Sequence, residues 1–256
     1  MKNLTTLIGK ELRLYFVSPI VYVITAVFLV IVDYMFYAQT VFYSSVSAQM
    51  MRFQGNLPSI NLHSMVFFPT LMNAVVILMF IMPLVTMRLL SEEKKTRTDE
   101  LLLSAPVTVM EVILGKFIAA MVIYMLMLGL TLHLPLGLGW ITTLTAKPLM
   151  AAYLGLILIG SMFLATGLFA SALTENQIVA ALISFGMLIG FWLSGSASPP
   201  DAESPVGAAI RHLSVVEHVE DLMKGLIDTS DLVYFISITL LGLFLAHRAV
   251  SSQRGA

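Results

Sequence analysis

The sequence predicts an all-α membrane protein with six transmembrane helices. Of its 256 residues, 58% are hydrophobic and only 11% are charged, whereas a soluble domain carries about 25% charged residues. A soluble protein of this size must cover its surface with polar side chains, so the deficit of charge indicates contact with lipid. The apolar residues also fall in runs that match the roughly 20 residues needed to cross a bilayer.

Six apolar segments account for the predicted spans. Stretches without a formal charge run over 53–87, 117–146, 148–174 and 176–200, and each is long enough for one helix. The first apolar segment contains only Asp33, and the last, 232–247, has 16 residues, near the lower limit for crossing a bilayer. In a single transmembrane domain, 1–256, we predict spans at about 17–38, 65–87, 112–135, 149–171, 177–195 and 231–247.

The distribution of Lys and Arg predicts that both termini lie in the cytoplasm. Cytoplasmic loops retain an excess of basic residues. With six spans and the N-terminus inside, ten of the 14 basic residues fall on the cytoplasmic side. The four on the outer side are Arg52, Lys147, Arg211 and Lys224. The first span follows a basic segment and has no small-residue cleavage site after it, so it is expected to be a retained anchor in the cell (inner) membrane.

The charge balance and the lack of cysteine exclude several classes of function. The net charge is -1, which predicts no basic surface for a nucleic-acid partner. There is no cysteine, so disulfides, thiolate metal sites and cysteine nucleophiles are excluded.

Residues 4–16 are predicted to form an amphipathic interfacial helix before the first span. Their apolar side chains recur near helical spacing and are Leu4, Leu7, Ile8, Leu12 and Tyr15. Lys10 and Arg13 lie off that face, so the helix should lie along the inner membrane surface. The alternative is a frayed start of the first span.

Residues 204–228 predict an outer amphipathic helix, or a pair of helices, before the last span. Apolar residues recur there at steps of three and four, with acidic residues between them. The segment either lies flat on the outer surface or dips into the membrane as a re-entrant element. Its acidic excess would either dock a basic extracytoplasmic partner or only solvate the helix.

The loop between the second and third spans is the most informative stretch. Residues 88–116 hold ten charges of both signs, and charges this dense need water or a partner surface. Ser91 can cap a helix with an acidic first turn, and a second helix would begin at Thr98 and end at Pro106. One or two short helices over 91–104 are therefore predicted at the cytoplasmic face. The alternative is a solvated loop whose charges only fix the topology.

A pattern of residues runs through this loop into the next helix. It consists of Glu93-Lys94, Thr98, Glu100, Leu101-Leu102, Ser104-Ala105-Pro106 and Gly115-Lys116. With the N-terminal Lys10-Glu11-Leu12 and the outer helical segment, it resembles the membrane-spanning permeases of ABC-2 type ABC transporters, nearest to the gliding-motility-associated branch. That family often has a glycine before the threonine, where this chain has Arg97.

The resemblance implies a six-helix half-transporter whose coupling helix, 91–104, sits in a groove of a separate cytoplasmic ATPase. It assigns to this interface Glu92, Glu93, Lys94, Lys95, Arg97, Thr98, Glu100, Leu101, Leu102 and Pro106. The sequence lacks the Gly-x-x-x-x-Gly-Lys-Ser/Thr loop that cradles phosphates. We therefore expect the chain to bind no cofactor and not to be an enzyme by itself, with ATP and magnesium held by the ATPase.

The resemblance also implies a larger assembly. Two permeases, identical or paralogous, would face each other and pair with two ATPase subunits. Alternating rigid-body motion of the permeases would then export a substrate or perform mechanical work on an extracytoplasmic partner.

Two further groups of residues are candidates for sites within the membrane. The fifth span carries Phe185, Gly186, Gly190, Phe191 and Trp192. Because glycines permit close approach of helices, this group is predicted to form the dimer seam or an outer gate. Asp33 is an ionisable residue within a span and hence a candidate for the transport pathway. Its place near the predicted outer end of the first span, beside two tyrosines, favours an interfacial residue that reaches water.

Two alternative functions compete with the transporter interpretation. Glu92-Glu93-x-x-x-Arg97 matches a motif of intramembrane proteases that resemble prenyl-protein-processing enzymes. Those enzymes also need Phe-x-x-x-His, and none of the five histidines has a phenylalanine four residues before it. Lys94 and Lys95 also draw this segment toward water, whereas catalytic carboxylates of that kind lie within the bundle. A membrane scaffold that moves no substrate is the other alternative.

Overall fold

The computed structural model describes residues 2–52, 61–97, 107–140, 142, 144–194 and 214–253, and these contain helices but no strand. A five-residue π-helix, His63–Phe67, leads into the second long apolar helix. The α-helices in chain order are α1 Lys2–Val17, α2 Pro19–Arg52, α3 Phe68–Thr86, α4 Ser91–Lys95, α5 Val109–Thr131, α6 His133–Gly139, α7 Ala146–Leu173, α8 Gln177–Leu193, α9 Val215–Met223 and α10 Thr229–Gln253.

Within the described residues, five helical segments are long and apolar enough to cross a membrane. They are Pro19–Met50, His63–Lys95, Val109–Gly139, Ala146–Leu173 and Thr229–Ser252, at the places of the first, second, third, fourth and sixth predicted spans. The chain is therefore a multi-pass membrane protein. At the fifth place α8 has 17 residues, which measure about 26 Å at 1.5 Å per residue, slightly less than the roughly 30 Å hydrocarbon core. A span at this fifth place, and with it the total of six, therefore stays a prediction.

The helix of the first predicted span continues past the predicted boundary at residue 38, because α2 extends to Arg52. Its 34 residues measure about 51 Å, so α2 is some 20 Å longer than a hydrocarbon core of about 30 Å. The hydroxyls beyond Tyr37 do not interrupt it. Thr40, Ser44 and Ser45 each donate a hydrogen bond to a carbonyl three or four residues earlier.

Helix α7 forms the centre of the bundle, and its glycines set how closely the neighbouring helices approach. A Cβ added at Gly160 would lie 2.1 Å from Cε1 of Tyr124 in α5, and one added at Gly167 would lie 2.1 Å from Oγ1 of Thr86 in α3. Tyr124 is almost completely buried, and its hydroxyl donates to the carbonyl of Leu156. Small residues permit this spacing between membrane helices.

Two groups of contacts lie at opposite ends of the helical bundle. At one end, called the α4 end, α4 meets α1, the first turns of α5 and the last turn of α7. At the other, the α9 end, α9 packs against the first turns of α7. Gly225, which has a φ of +89°, lies against Pro148 there, and His63 Nε2 lies 3.0 Å from the carbonyl oxygen of Met223.

Helix α9 is the described part of the predicted outer segment, whose residues 204–213 lie outside the described ranges. Its apolar face is buried through Val219, Leu222 and Met223, as the period of three and four predicts. Leu226, the last apolar residue of that period, is exposed, because α9 ends at Met223.

Candidate functional site

Four charged side chains from three elements meet at the α4 end of the bundle. Lys116 Nζ lies 2.9 Å from Glu11 Oε1 and 2.9 Å from Glu93 Oε1. Lys10 Nζ lies 3.5 Å from Glu93 Oε1 and 4.0 Å from Glu11 Oε1. We call these four residues the charged cluster. Because its members belong to α1, α4 and α5, the cluster joins these three helices by alternating charges.

Two members of the charged cluster, Glu11 and Lys116, are buried, and Glu93 is partly buried. The exposed fraction of the side chain is 3% for Lys116, 8% for Glu11 and 15% for Glu93, whereas Lys10 is half exposed. A buried charge is strongly unfavourable unless it is paired and hydrogen-bonded. The Lys116 ammonium therefore depends on both carboxylates, and each carboxylate depends on Lys116.

The beginning of α5 explains how Lys116 reaches this position. Thr108 and Glu111 form a capping box: the Thr108 hydroxyl accepts from the Glu111 amide at 3.2 Å, and the Glu111 carboxylate accepts from the Thr108 amide at 2.9 Å. Helix α5 therefore begins at Val109, three residues before the predicted start of the span at 112. The Gly115-Lys116 pair therefore lies two turns inside the helix.

Helix α1 lies where Gly115 leaves room for it. A Cβ added at Gly115 would lie 3.2 Å from Cβ of Leu7 and 3.8 Å from Cδ1 of Leu4. Tyr15 is buried on the same side, and its hydroxyl donates to the Val85 carbonyl at 3.4 Å. The apolar face that was expected to rest on the membrane surface therefore packs against α5 and α3.

Helix α4 is held by the last turn of α7. The prediction that Ser91 caps this helix is wrong: Ser91 is buried, its hydroxyl donates to the Met87 carbonyl, and Leu90 occupies the N-cap position. Instead, Ser171 Oγ of α7 accepts from the backbone amides of Leu90 and Ser91, both at 3.0 Å. The first amides of a helix have no partner within the helix. Ser171 supplies an acceptor for two such amides near the start of α4.

Arg97 ends α4 in a left-handed conformation. Its φ is +53°, and no other non-glycine residue in the described ranges has a positive φ. Its amide donates to the Lys94 carbonyl at 3.1 Å, as at the left-handed C-terminal caps for which glycine is usual. The arginine therefore stands where the ABC-2 pattern often has a glycine, in the conformation that favours glycine.

The predicted coupling residues separate into an outward and an inward group. Glu92, Lys95 and Arg97 are exposed. Glu93 belongs to the charged cluster, and the Lys94 ammonium donates to the Ala172 carbonyl at the end of α7. The remaining five predicted residues, Thr98, Glu100, Leu101, Leu102 and Pro106, lie outside the described residues.

Asp33 lies near the middle of α2 and pairs with a histidine of another helix. Its Oδ1 lies 3.2 Å from Nε2 of His133, the first residue of α6, and both side chains are about half exposed. Asp33 was expected near the outer end of its helix, but α2 continues beyond it to Arg52. Among the described residues, no three His, Asp or Glu side chains are placed to share a metal ion.

The predicted seam residues occupy an outward part of α8. Gly186 and Gly190 are exposed, and a Cβ added at either would have no neighbour within 4 Å in the described chain. The ring of Phe185 lies 4.8 Å from that of Phe80 in α3. Phe191 and Trp192 are half buried. Gly190 and Phe191 also line an apolar cavity of about 400 Å³ between α7, α8 and α10.

Comparison with known protein families identifies the chain. A family model described as ABC-2 family transporter protein matches residues 5–246. No curated protein matches the sequence. The family match extends from α1 into α10 and so covers every helix of the α4 end. The chain therefore belongs to the ABC-2 family of transporter proteins.

Proposed function

We propose that α4 is the surface on which a cytoplasmic ATPase subunit acts, and that the charged cluster passes the resulting force to α1 and α5. The chain is a membrane subunit of an ABC-2 transporter, and such a subunit works in a lipid bilayer with an ABC ATPase. In the proposed assembly, two six-span permeases with cytoplasmic termini pair with two ATPases. The cycle exports a substrate or performs mechanical work on an extracytoplasmic partner.

The two-sided construction of α4 carries this proposal. Its outward side presents Glu92, Lys95 and Arg97, charges that suit a polar protein surface. Its inward side is fixed by the ion pair of Glu93 with Lys116 and by the hydrogen bonds that Ser171 Oγ accepts from the amides at the start of α4. A displacement of the outward side would therefore move the ends of α5 and α7 with it.

The pairing of two permeases is supported by the outward face of α8. Gly186 and Gly190 lie one turn apart and are exposed, so an opposing helix can approach the backbone of α8 closely. A second copy of the chain, or a paralogue, is the proposed occupant of this face.

The competing functions are less well supported. The protease alternative requires Glu92 and Glu93 to act together inside the bundle. However, Glu92 is exposed, and the carboxylate of Glu93 is bound to the Lys116 ammonium. The scaffold alternative makes a different prediction, since it requires no ATPase to accompany the chain.

The decisive experiment reverses charge on the outward side of α4 without disturbing its inward side. Lys95→Glu with Arg97→Glu should abolish co-purification with the ATPase, or its stimulated hydrolysis, because both residues are exposed at the proposed contact. The matched control is Lys147→Glu with Lys224→Glu, which changes the net charge equally at the α9 end, where both residues are also exposed.

We expect the α4 variant to fold normally and lose the ATPase, and the control to retain it. Equal retention in both variants would place the ATPase elsewhere. Purification of the wild-type chain without any ATP-hydrolysing partner would instead favour the scaffold. Glu93→Lys is unsuitable for this test, because it would break the charged cluster itself.

A further inference from the structure

We propose that a cavity beside the charged cluster binds the head group of a phospholipid that carries a primary ammonium, such as phosphatidylethanolamine. The cavity has a volume of about 330 Å³ and opens between α1, the turn after α3 and α4. Residues that line it include Leu14, Ser18, Val85, Arg88 and Glu92. Glu92 also belongs to the exposed side of α4 proposed to contact the ATPase, so the lipid test is made on the chain without the ATPase.

The cavity lies at the depth of lipid head groups. Arg88 is two residues beyond the end of α3, and Ser18 occupies the break between α1 and α2, so we infer that both lie near the level at which the helices leave the hydrocarbon region. On the same side, Leu14 is 57% exposed, Val17 76% and Ile20 41%. These apolar side chains continue from the cavity onto the surface of the bundle, where acyl chains would lie.

Arg88 is the group that would bind the phosphate. Its Nη2 donates to the Ser18 hydroxyl at 3.1 Å. In the described part of the chain, no carboxylate lies within ion-pair distance of Arg88. A partly buried guanidinium with only a neutral partner is incompletely compensated. A phosphate would supply the missing negative charge and acceptors for the planar fork of arginine donors.

The acidic residues of the cavity favour ethanolamine over other head groups. Glu11 and Glu93 are already bound by Lys116, and Lys10 lies beside both. Glu92 also lines the cavity and has no ion-pair partner among the described residues.

Once the internal pairs are formed, the cavity thus presents one guanidinium and one carboxylate. These complement a phosphate and a nearby ammonium. A primary ammonium carries N–H donors and can hydrogen-bond to a carboxylate, whereas the quaternary ammonium of choline has no donor. A glycerol head group would leave Glu92 unpaired beside a net negative lipid.

The test measures which lipids the purified full-length chain retains. The chain is equilibrated with vesicles of phosphatidylethanolamine, phosphatidylcholine and phosphatidylglycerol in equal amounts, purified in mild detergent, and its bound lipid is quantified by mass spectrometry. We expect phosphatidylethanolamine to be enriched. Arg88→Gln should lower that retention about tenfold, the scale of one charge-assisted hydrogen bond. Glu92→Gln should remove the preference over phosphatidylcholine but keep phosphate-dependent binding.

Two controls separate this site from other effects. Arg248→Gln changes another basic residue of the α4 end, one that lies over the ring of Phe244 and not in the cavity, and it should retain lipid as the wild type does. Arg88→Lys keeps the charge and should bind detectably even if Arg88→Gln folds poorly. Equal retention of the three lipids, or unchanged retention in Arg88→Gln, would overturn the proposal. If Arg88→Gln left lipid retention unchanged but abolished co-purification with the ATPase, Arg88 would instead pair with the partner protein.

Discussion

Replacement of Lys116 by methionine would test whether the charged cluster holds the α4 end together. Methionine keeps the unbranched apolar stem but removes the ammonium. Glu11 and Glu93, both 2.9 Å from Lys116 Nζ, would then face each other without the charge that separates them. We therefore expect the variant to unfold more easily, with α1 and α4 released from α5.

The magnitude follows from the burial of the three groups. Removing one partner of a buried ion pair typically destabilises a protein by about 3–5 kcal/mol, because it leaves an uncompensated charge. The lower part of that range is expected here, since Lys10, 3.5 Å from Glu93 and half exposed, can still compensate one carboxylate. We predict a loss of about 3 kcal/mol in the free energy of unfolding.

The assay is unfolding of the purified chain in mixed micelles with increasing dodecyl sulfate. A triple variant, Lys116→Met with Glu11→Gln and Glu93→Gln, should recover at least about half of the loss, because replacing a whole buried charge set by neutral groups is often nearly neutral. Lys95→Met, on the exposed side of α4, should change stability by less than about 0.5 kcal/mol. A loss below about 1 kcal/mol for Lys116→Met, or a triple variant no more stable than the single one, would refute the reasoning.

Two further predictions test the packing of α7 and the end of α4. Gly160→Ala should destabilise the protein by about 1–3 kcal/mol, because its Cβ would lie 2.1 Å from the Tyr124 ring. Gly186→Ala, whose Cβ would meet nothing within 4 Å, should change the thermal midpoint little, and equal effects of the two would contradict the central place of α7. Arg97→Gly should stabilise the protein by about 1 kcal/mol, since Arg97 has a φ of +53°; destabilisation in the same unfolding assay would mean that contacts of the arginine outweigh its backbone strain.

The sequence predicts most of the membrane helices because hydropathy is a local signal. Five of the six predicted segments correspond to helices long and apolar enough to cross a membrane. The end of α2 was missed because hydropathy falls after Tyr37, whereas the helix is limited only by its backbone hydrogen bonds. Thr40, Ser44 and Ser45 satisfy their hydroxyls within the helix, so increasing polarity did not mark its end.

The charged cluster and the contact of Ser171 with α4 were not predicted, because the residues that form them are distant in sequence. Glu11 and Lys116 are 105 residues apart, and nothing local to either indicates the other. One signal was present: a lysine eight residues into an apolar helix needs a partner. The Thr108-x-x-Glu111 capping box was also readable, and it would have placed Lys116 inside α5. Ser171 offered no such signal, since a serine in an apolar helix usually bonds to its own backbone.

The contacts of α4 indicate why a force applied there would move the bundle as a body. Glu93 connects α4 to α5 through Lys116, and Ser171 connects it to α7. These two helices are themselves packed together, because the ring of Tyr124 in α5 fills the space left by Gly160 in α7. Packed interfaces of this kind deform little, so α4 cannot displace one helix without the other. In the proposed function, an ATPase acting on α4 would therefore tilt a unit of α1, α5 and α7, which is the kind of rigid-body motion proposed for the two permeases.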